Sequence, residues 1–215
     1  MSRTCFKVSI SLDGFMAGPD QSIEHPLGVG GDQLHQWMYE LEAWRAEHGL
    51  EGGIENESTD EIQAMFEDVG AIVMGRNMFG GYPGPWKTDP EWRGWWGENP
   101  PYHVPVYVVT HYPREPLPMD GGTTFHFVTD GFEAALTAAR EAAGKQDVYV
   151  AGGANVIQQA LAGGFIDDFA VSIAPALLGS GARLFENLPE HFRIEQTRSL
   201  EAPGVTHVSY RVLPR

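Results

Sequence analysis

The chain has 215 residues, 42% hydrophobic and 20% charged, which is the make-up of an ordinary globular protein long enough for a sizeable core. Its 14 basic and 29 acidic residues leave a net charge of −15 with no Lys/Arg run, so the long-range field repels nucleic acid and anionic lipid. No stretch of about 18 apolar residues is present, which excludes a helical membrane span, and Cys5 as the single cysteine excludes an intrachain disulfide and a thiolate zinc site.

The N-terminus shows no basic region followed by an apolar run, so a cytoplasmic protein is expected. Residues 6–12 alternate apolar and polar as a strand and end in the turn signal Asp13-Gly14. Asp13 thus falls just past a strand end, where α/β sheets place ligand-contacting residues; the alternative is an Asx turn. Residues 17–31 read as a Gly/Pro-rich loop. Residues 33–47 read as a helix, with Leu34, Trp37, Met38 and Leu41 at helical spacing. Asp32 stands at its start, as an N-cap or as a carboxylate facing a ligand.

After a loop at 49–57, Ser58 and Glu61 have the spacing of a capping box, with Ile62, Met65, Phe66 and Val69 on one face and Gly70 as the stop. A short apolar strand at 71–74 then runs into Gly75-Arg76-Asn77. Residues 80–101 hold five prolines and four tryptophans (Trp86, Trp92, Trp95, Trp96), too Pro-rich for regular structure. Four tryptophans in a loop demand burial, so the segment covers a pocket or meets another subunit.

Further strands are predicted at 104–110, before His111-Tyr112-Pro113, and at 124–128. Thr129 or Asp130 caps a helix carrying Phe132, Leu136, Ala139 and Ala143, with Gly144 just past its end. The stretch Val148-Tyr149-Val150-Ala151-Gly152-Gly153-Ala154-Asn155-Val156-Ile157 is a buried strand, a glycine pair and a first helical turn. Residues lacking Cβ let a ligand approach the backbone, and the helix behind offers unpaired N–H groups and a positive dipole end, which suit a phosphate. The alternative is a plain strand-to-helix turn. A strand at 168–174, its exit loop 175–181 and a two-stranded hairpin within 192–213 complete the chain.

Strands alternating with helices imply an α/β fold with a largely parallel sheet and helices on both faces, closed by an antiparallel C-terminal hairpin. No linker or repeat appears, so residues 1–215 are read as a single domain with 80–101 inserted. The eight histidines show no metal-ligand spacing, so no metal site is expected. No Gly-x-Ser-x-Gly elbow, phosphate-binding P-loop or Gly-x-Gly-x-x-Gly after the first strand is present.

The ordered series Ser11-Leu12-Asp13-Gly14, Val73-Met74-Gly75-Arg76, Val109-Thr110, Ala151-Gly152-Gly153 and Pro175-Ala176-Leu177-Leu178-Gly179 resembles the dihydrofolate-reductase-like superfamily. The nearest branch holds the C-terminal reductase domain of bacterial riboflavin biosynthesis. The resemblance implies a three-layer α-β-α fold and NADPH as cofactor. It places Gly75, Arg76 and Asn77 at the diphosphate and 2′-phosphate side, and Thr110 and His111 at the adenosine end. Gly152, Gly153, Ala154, Asn155, Val156 and Ile157 would take the diphosphate and nicotinamide-side phosphate, with a cis peptide between the glycines.

Asp32 would be the nearest match to the pterin-binding carboxylate, and Asp13 would lie near substrate in the riboflavin branch. Dihydrofolate reductases carry a threonine two residues after the arginine, where this chain has Met78. The implied activity is hydride transfer from NADPH to a small heterocyclic or carbonyl substrate, of the 5-amino-6-(5-phosphoribosylamino)uracil reductase type. Dihydrofolate reduction and a non-catalytic nucleotide- or flavin-binding module remain the alternatives. A homodimer is expected, because the Trp-rich segment and the hairpin's edge strands would otherwise be exposed.

Overall fold

The computed structural model describes residues 2–81, 84–86, 91–190 and 192–214. In chain order its elements are β1 (Thr4–Ser11), β2 (Phe15–Ala17), a 3-10 turn (Gly31–Leu34), α1 (Glu42–Glu47), α2 (Thr59–Gln63) and β3 (Val69–Gly75). There follow α3 (Arg76–Phe79), β4 (Pro105–Val109), β5 (Leu117–Pro118), β6 (Thr124–Val128) and α4 (Phe132–Ala143). The last are β7 (Asp147–Gly152), α5 (Ala154–Ala162), β8 (Asp168–Ala174), β9 (Ala182–Arg183), β10 (Ile194–Ala202) and β11 (Val205–Val212). The fold is α/β, with a nine-stranded, largely parallel sheet and a small antiparallel pair formed by β2 and β9.

The chain divides into two compact units. The first comprises Met1–Phe6 and Asp68–Ile166, with strand order β1-β7-β3-β4-β6-β5. All its pairings are parallel except that of the short β5 with β6. β3 is buried at all seven positions, the signature of a central strand covered on both faces. α4 buries Phe132, Ala135, Leu136, Ala139 and Ala143, the face its spacing predicts. Its N-cap is Gly131, with no side-chain cap bond, so neither Thr129 nor Asp130 caps it. Gly144 ends it as expected.

The second unit comprises Lys7–Glu67 and Asp167–Arg215. The C-terminal hairpin is present, and β11 lies between β10 and β8, antiparallel to both. The helix expected over 33–47 is not continuous. A 3-10 turn comes first, and then Leu41 turns extended (ψ 133°) before α1. The cause is tertiary: Ile54 N donates to Glu40 O and Glu42 N donates to Ile54 O, both at 2.9 Å, in place of helical bonds. Leu34, Met38 and Leu41 are buried all the same, so the apolar spacing marked the right residues on the wrong backbone.

The capping box is also absent. Ser58 has helical φ/ψ and makes no cap bond; its hydroxyl instead lies 2.9 Å from His207 Nε2. Glu61 pairs with Arg198. Two long-range partners have taken the groups that a local motif would use. Val69 and Gly70 belong to β3 rather than to the end of a helix.

Candidate functional site

In the first unit, parallel pairing brings three strand ends level. Gly75 on β3 is opposite Val109 on β4, and Met74 is opposite Gly152 on β7. Gly75, Thr110 and the glycine pair therefore share one edge of the parallel strands, the carboxyl edge where α/β sheets take ligands. Gly75 is packed close to its neighbours: a Cβ there would lie 2.9 Å from Val156 Cγ2 and 3.5 Å from Gly153 N.

The Gly152–Gly153 peptide is cis, as the resemblance implies. Gly152 has φ +129°, a conformation that L side chains avoid. Gly153 differs, being extended (φ −72°, ψ −168°) as the N-cap of α5, and a Cβ on it would meet no atom within 4 Å. Its glycine therefore leaves room at the backbone that the protein's own packing does not require. Ala154, Val156 and Ile157 are buried in α5, and Asn155 is exposed, its Oδ1 accepting from Gln159 Nε2 at 2.7 Å. Thr110 is buried, with its N–H on Val128 O and its Oγ1 accepting from Tyr112 N. His111 and Asn77 are exposed.

Arg76 opens α3 directly after β3. Its guanidinium lies 3.6 Å over the ring of Trp86 and donates to Gly80 O. Burial first, and the neighbouring Arg114 second, lower its proton affinity below that of an ordinary arginine. Arg114 stands 5.2 Å from the same indole and 4.9 Å from Phe127. It donates to Trp92 O and Glu91 Oε1, each at 2.7 Å.

Two guanidiniums sharing one tryptophan make a cationic locus in a protein of net charge −15. The Trp-rich segment supports it from above. Trp92 Nε1 donates to Phe79 O, Trp95 Nε1 to Met78 O and Trp86 Nε1 to Tyr112 O. The first two bonds satisfy carbonyls of α3 that a one-turn helix leaves open, and the third ties Trp86 to the loop after β4. Positions 82, 83 and 87–90 of the segment lie outside the described residues.

In the second unit, Asp13 Oδ1 accepts from Ser11 Oγ at 2.6 Å and Leu178 N at 3.1 Å, and Oδ2 accepts from Gly179 N at 2.7 Å. The Ser11 bond foremost, then the backbone N–H groups of Gly179, Leu178 and Asp13 itself, lower its pKa to about 2, opposed by partial loss of solvent. Asp13 is thus an anion that ties down the exit loop of β8.

Asp32 is exposed in the first turn of the 3-10 element, whose N-cap is Gly30. Burial lowers the nearby His35 to about 4 against the opposing charge of Asp32. Among the described residues His35 Nδ1 has no hydrogen-bond partner. Sequence reading missed Arg114 and the anchoring of residues 178 and 179 by Asp13. No local pattern announces contacts across 165 residues of chain. Among the described residues no group of three metal-ligating side chains is found, and no helix is long and apolar enough to cross a membrane.

The strand ends, the glycine turn and the arginine after β3 define a dihydrofolate-reductase-like α/β protein. A family model, RibD C-terminal domain, matches residues 4–208, and the chain belongs to that family. It is similar in structure to a candidate riboflavin biosynthesis protein of Shewanella sp. PV-4, with 20% identity, 99% of each chain covered and a TM-score of 0.63. The riboflavin biosynthesis reductase Rib7 of Saccharomyces cerevisiae gives 14% identity over 99% of this chain and 89% of that one, with a TM-score of 0.52. A dihydrofolate reductase of Enterococcus faecalis, complexed with NADP(H), gives 10% identity over 98% and 96%, with a TM-score of 0.51. No curated protein matches the sequence. The family match gives the class of this domain, and the solved neighbours show that it shares its fold with a riboflavin biosynthesis reductase and a dihydrofolate reductase.

Proposed function

We propose that this protein is an NADPH-dependent reductase of the 5-amino-6-(5-phosphoribosylamino)uracil reductase type, reducing a small heterocyclic or carbonyl substrate. The observation that carries the reading is the open backbone at Gly153, set at the mouth of α5 and level with the ends of β3 and β4. The residues fit a dinucleotide. Gly152, Gly153 and the first N–H groups of α5 would hold a diphosphate, and Arg76, braced by Trp86, would hold a 2′-phosphate.

The bound cofactor would supply the hydride, and the chain would supply orientation and exclusion of water. Asp13, ionised at neutral pH, can orient a substrate but cannot give it a proton. The test is NADPH oxidation by the purified protein against a panel of aminopyrimidine ribosyl phosphates and dihydrofolate. Turnover with the first group is expected. Turnover with dihydrofolate alone, or with nothing offered, would contradict the assignment.

The ionised state of Asp13 and the neutral state of His35 favour one further reading, a nucleotide-binding module without turnover. Tight NADPH binding with no reduction of any substrate would select it.

A further inference from the structure

The second unit contains a cleft of about 290 Å³ that uses none of the residues assigned above. Its apolar wall is Trp37 with Ile54, Pro175 and Ala176, and its polar wall is Gln33, Gln36, Glu40 and Asn56. The indole is fixed: Nε1 donates to Ser9 Oγ at 3.2 Å and to Leu34 O at 3.1 Å. His207 meets its ring edge-to-face at 4.9 Å, and His207 is itself held between Ser58 Oγ and Ser172 Oγ at 2.9 and 2.8 Å. The turn between β10 and β11 closes one side through Pro203 and Gly204.

The amides are partly committed, which sets what each can offer. Asn56 Oδ1 accepts from Ser58 N at 2.8 Å, leaving its NH₂ as the available group. Gln33 Nε2 donates to Gly30 O at 3.1 Å, leaving its carbonyl oxygen and its second N–H available. Gln36 offers a donor and an acceptor, and Glu40 offers only acceptors. The wall therefore carries both donors and acceptors, with no cation among the lining residues and one carboxylate.

Hydroxyl groups match such a wall, because each donates and accepts. A phosphate or carboxylate does not, because it only accepts and would face Glu40. The volume is at the lower end of small-ligand sites. We propose that this cleft binds a neutral polyhydroxylated molecule of roughly monosaccharide size, seated against Trp37 and hydrogen-bonded by Gln33, Gln36, Glu40 and Asn56. The proposal is independent of the reductase reading.

The experiment is a titration of the ¹⁵N-labelled protein with D-glucose, D-ribose and glucose 6-phosphate, following the side-chain NH₂ resonances of Gln36 and Asn56. A neutral sugar should shift both in a saturable way, and the phosphate ester should bind at least about tenfold more weakly. Gln36→Ala, a substitution of an exposed residue, should weaken sugar binding about tenfold while leaving NADPH affinity unchanged. Glu40→Lys should shift preference toward the phosphate ester. No saturable shift with either sugar overturns the proposal. Equal binding of glucose and its phosphate, or unchanged sugar binding in Gln36→Ala, does the same.

Discussion

Gly153 separates a folding role from a binding role at a single position. Alanine tolerates its φ of −72°, and its Cβ would touch no protein atom. Gly153→Ala should therefore change stability by only about 0.5 kcal/mol yet raise the NADPH dissociation constant at least about tenfold. Thermal melts and a fluorescence titration read the two effects separately.

His35 makes a second residue-scale prediction. In the fold its pKa is depressed from 6.5 to about 4, so between those values the unfolded chain binds the proton and the native one does not. The stability linked to it is complete above pH 6.5 and falls as pH drops toward 4. His207, lowered by burial, acts in the same direction. Urea midpoints measured across this range should decline on acidification, and His35→Phe should flatten the decline. An unchanged slope would exclude His35 as its source.

At the scale of elements, Gly70 joins β3 to α4. A Cβ there would stand 2.8 Å from Ala143 Cα and 3.0 Å from Ala143 O, backbone atoms that cannot swing away. Gly70→Ala should cost about 1–3 kcal/mol in a denaturant melt, and a neutral result would mean that α4 shifts freely on β3.

Strands β3, β4 and β7 were legible because they are nearly continuous apolar runs, and α4 and α5 because glycines end them. The positions of Gly75, Arg76 and the Gly152–Gly153 pair were legible too, since they stand at or directly after strand ends in sequence. What could not be read is long-range. The broken helix at Leu41 follows from a backbone pairing with Ile54, and the lost capping box follows from His207 and Arg198 reaching Ser58 and Glu61. Arg114 joined the cationic locus only because Trp86 returns from the inserted segment to lie beside both guanidiniums.

For the whole molecule, assembly and charge matter most. β10 is an edge strand, exposed at every position from Ile194 to Ser199. The Trp-rich segment was expected to cover a pocket or to meet another subunit, and the indoles of Trp86, Trp92 and Trp95 are bonded to carbonyls of their own chain. The case for a homodimer therefore rests on β10. Light scattering should give twice the 23.6 kDa chain mass, and Thr197→Pro should return the chain mass; a wild-type monomer at micromolar concentration would refute the dimer.

A net charge of −15 opposes a polyanionic ligand at long range, so the proposed binding of NADPH calls for local contacts, and the proposal assigns the 2′-phosphate to Arg76. The most direct test is to titrate the wild-type protein and Arg76→Ala with NADPH and with NADH. The account predicts that the wild type binds NADPH at least about tenfold tighter than NADH and that Arg76→Ala loses this preference while keeping its melting temperature. Equal affinity for the two nucleotides in the wild type, or binding to neither, would contradict it.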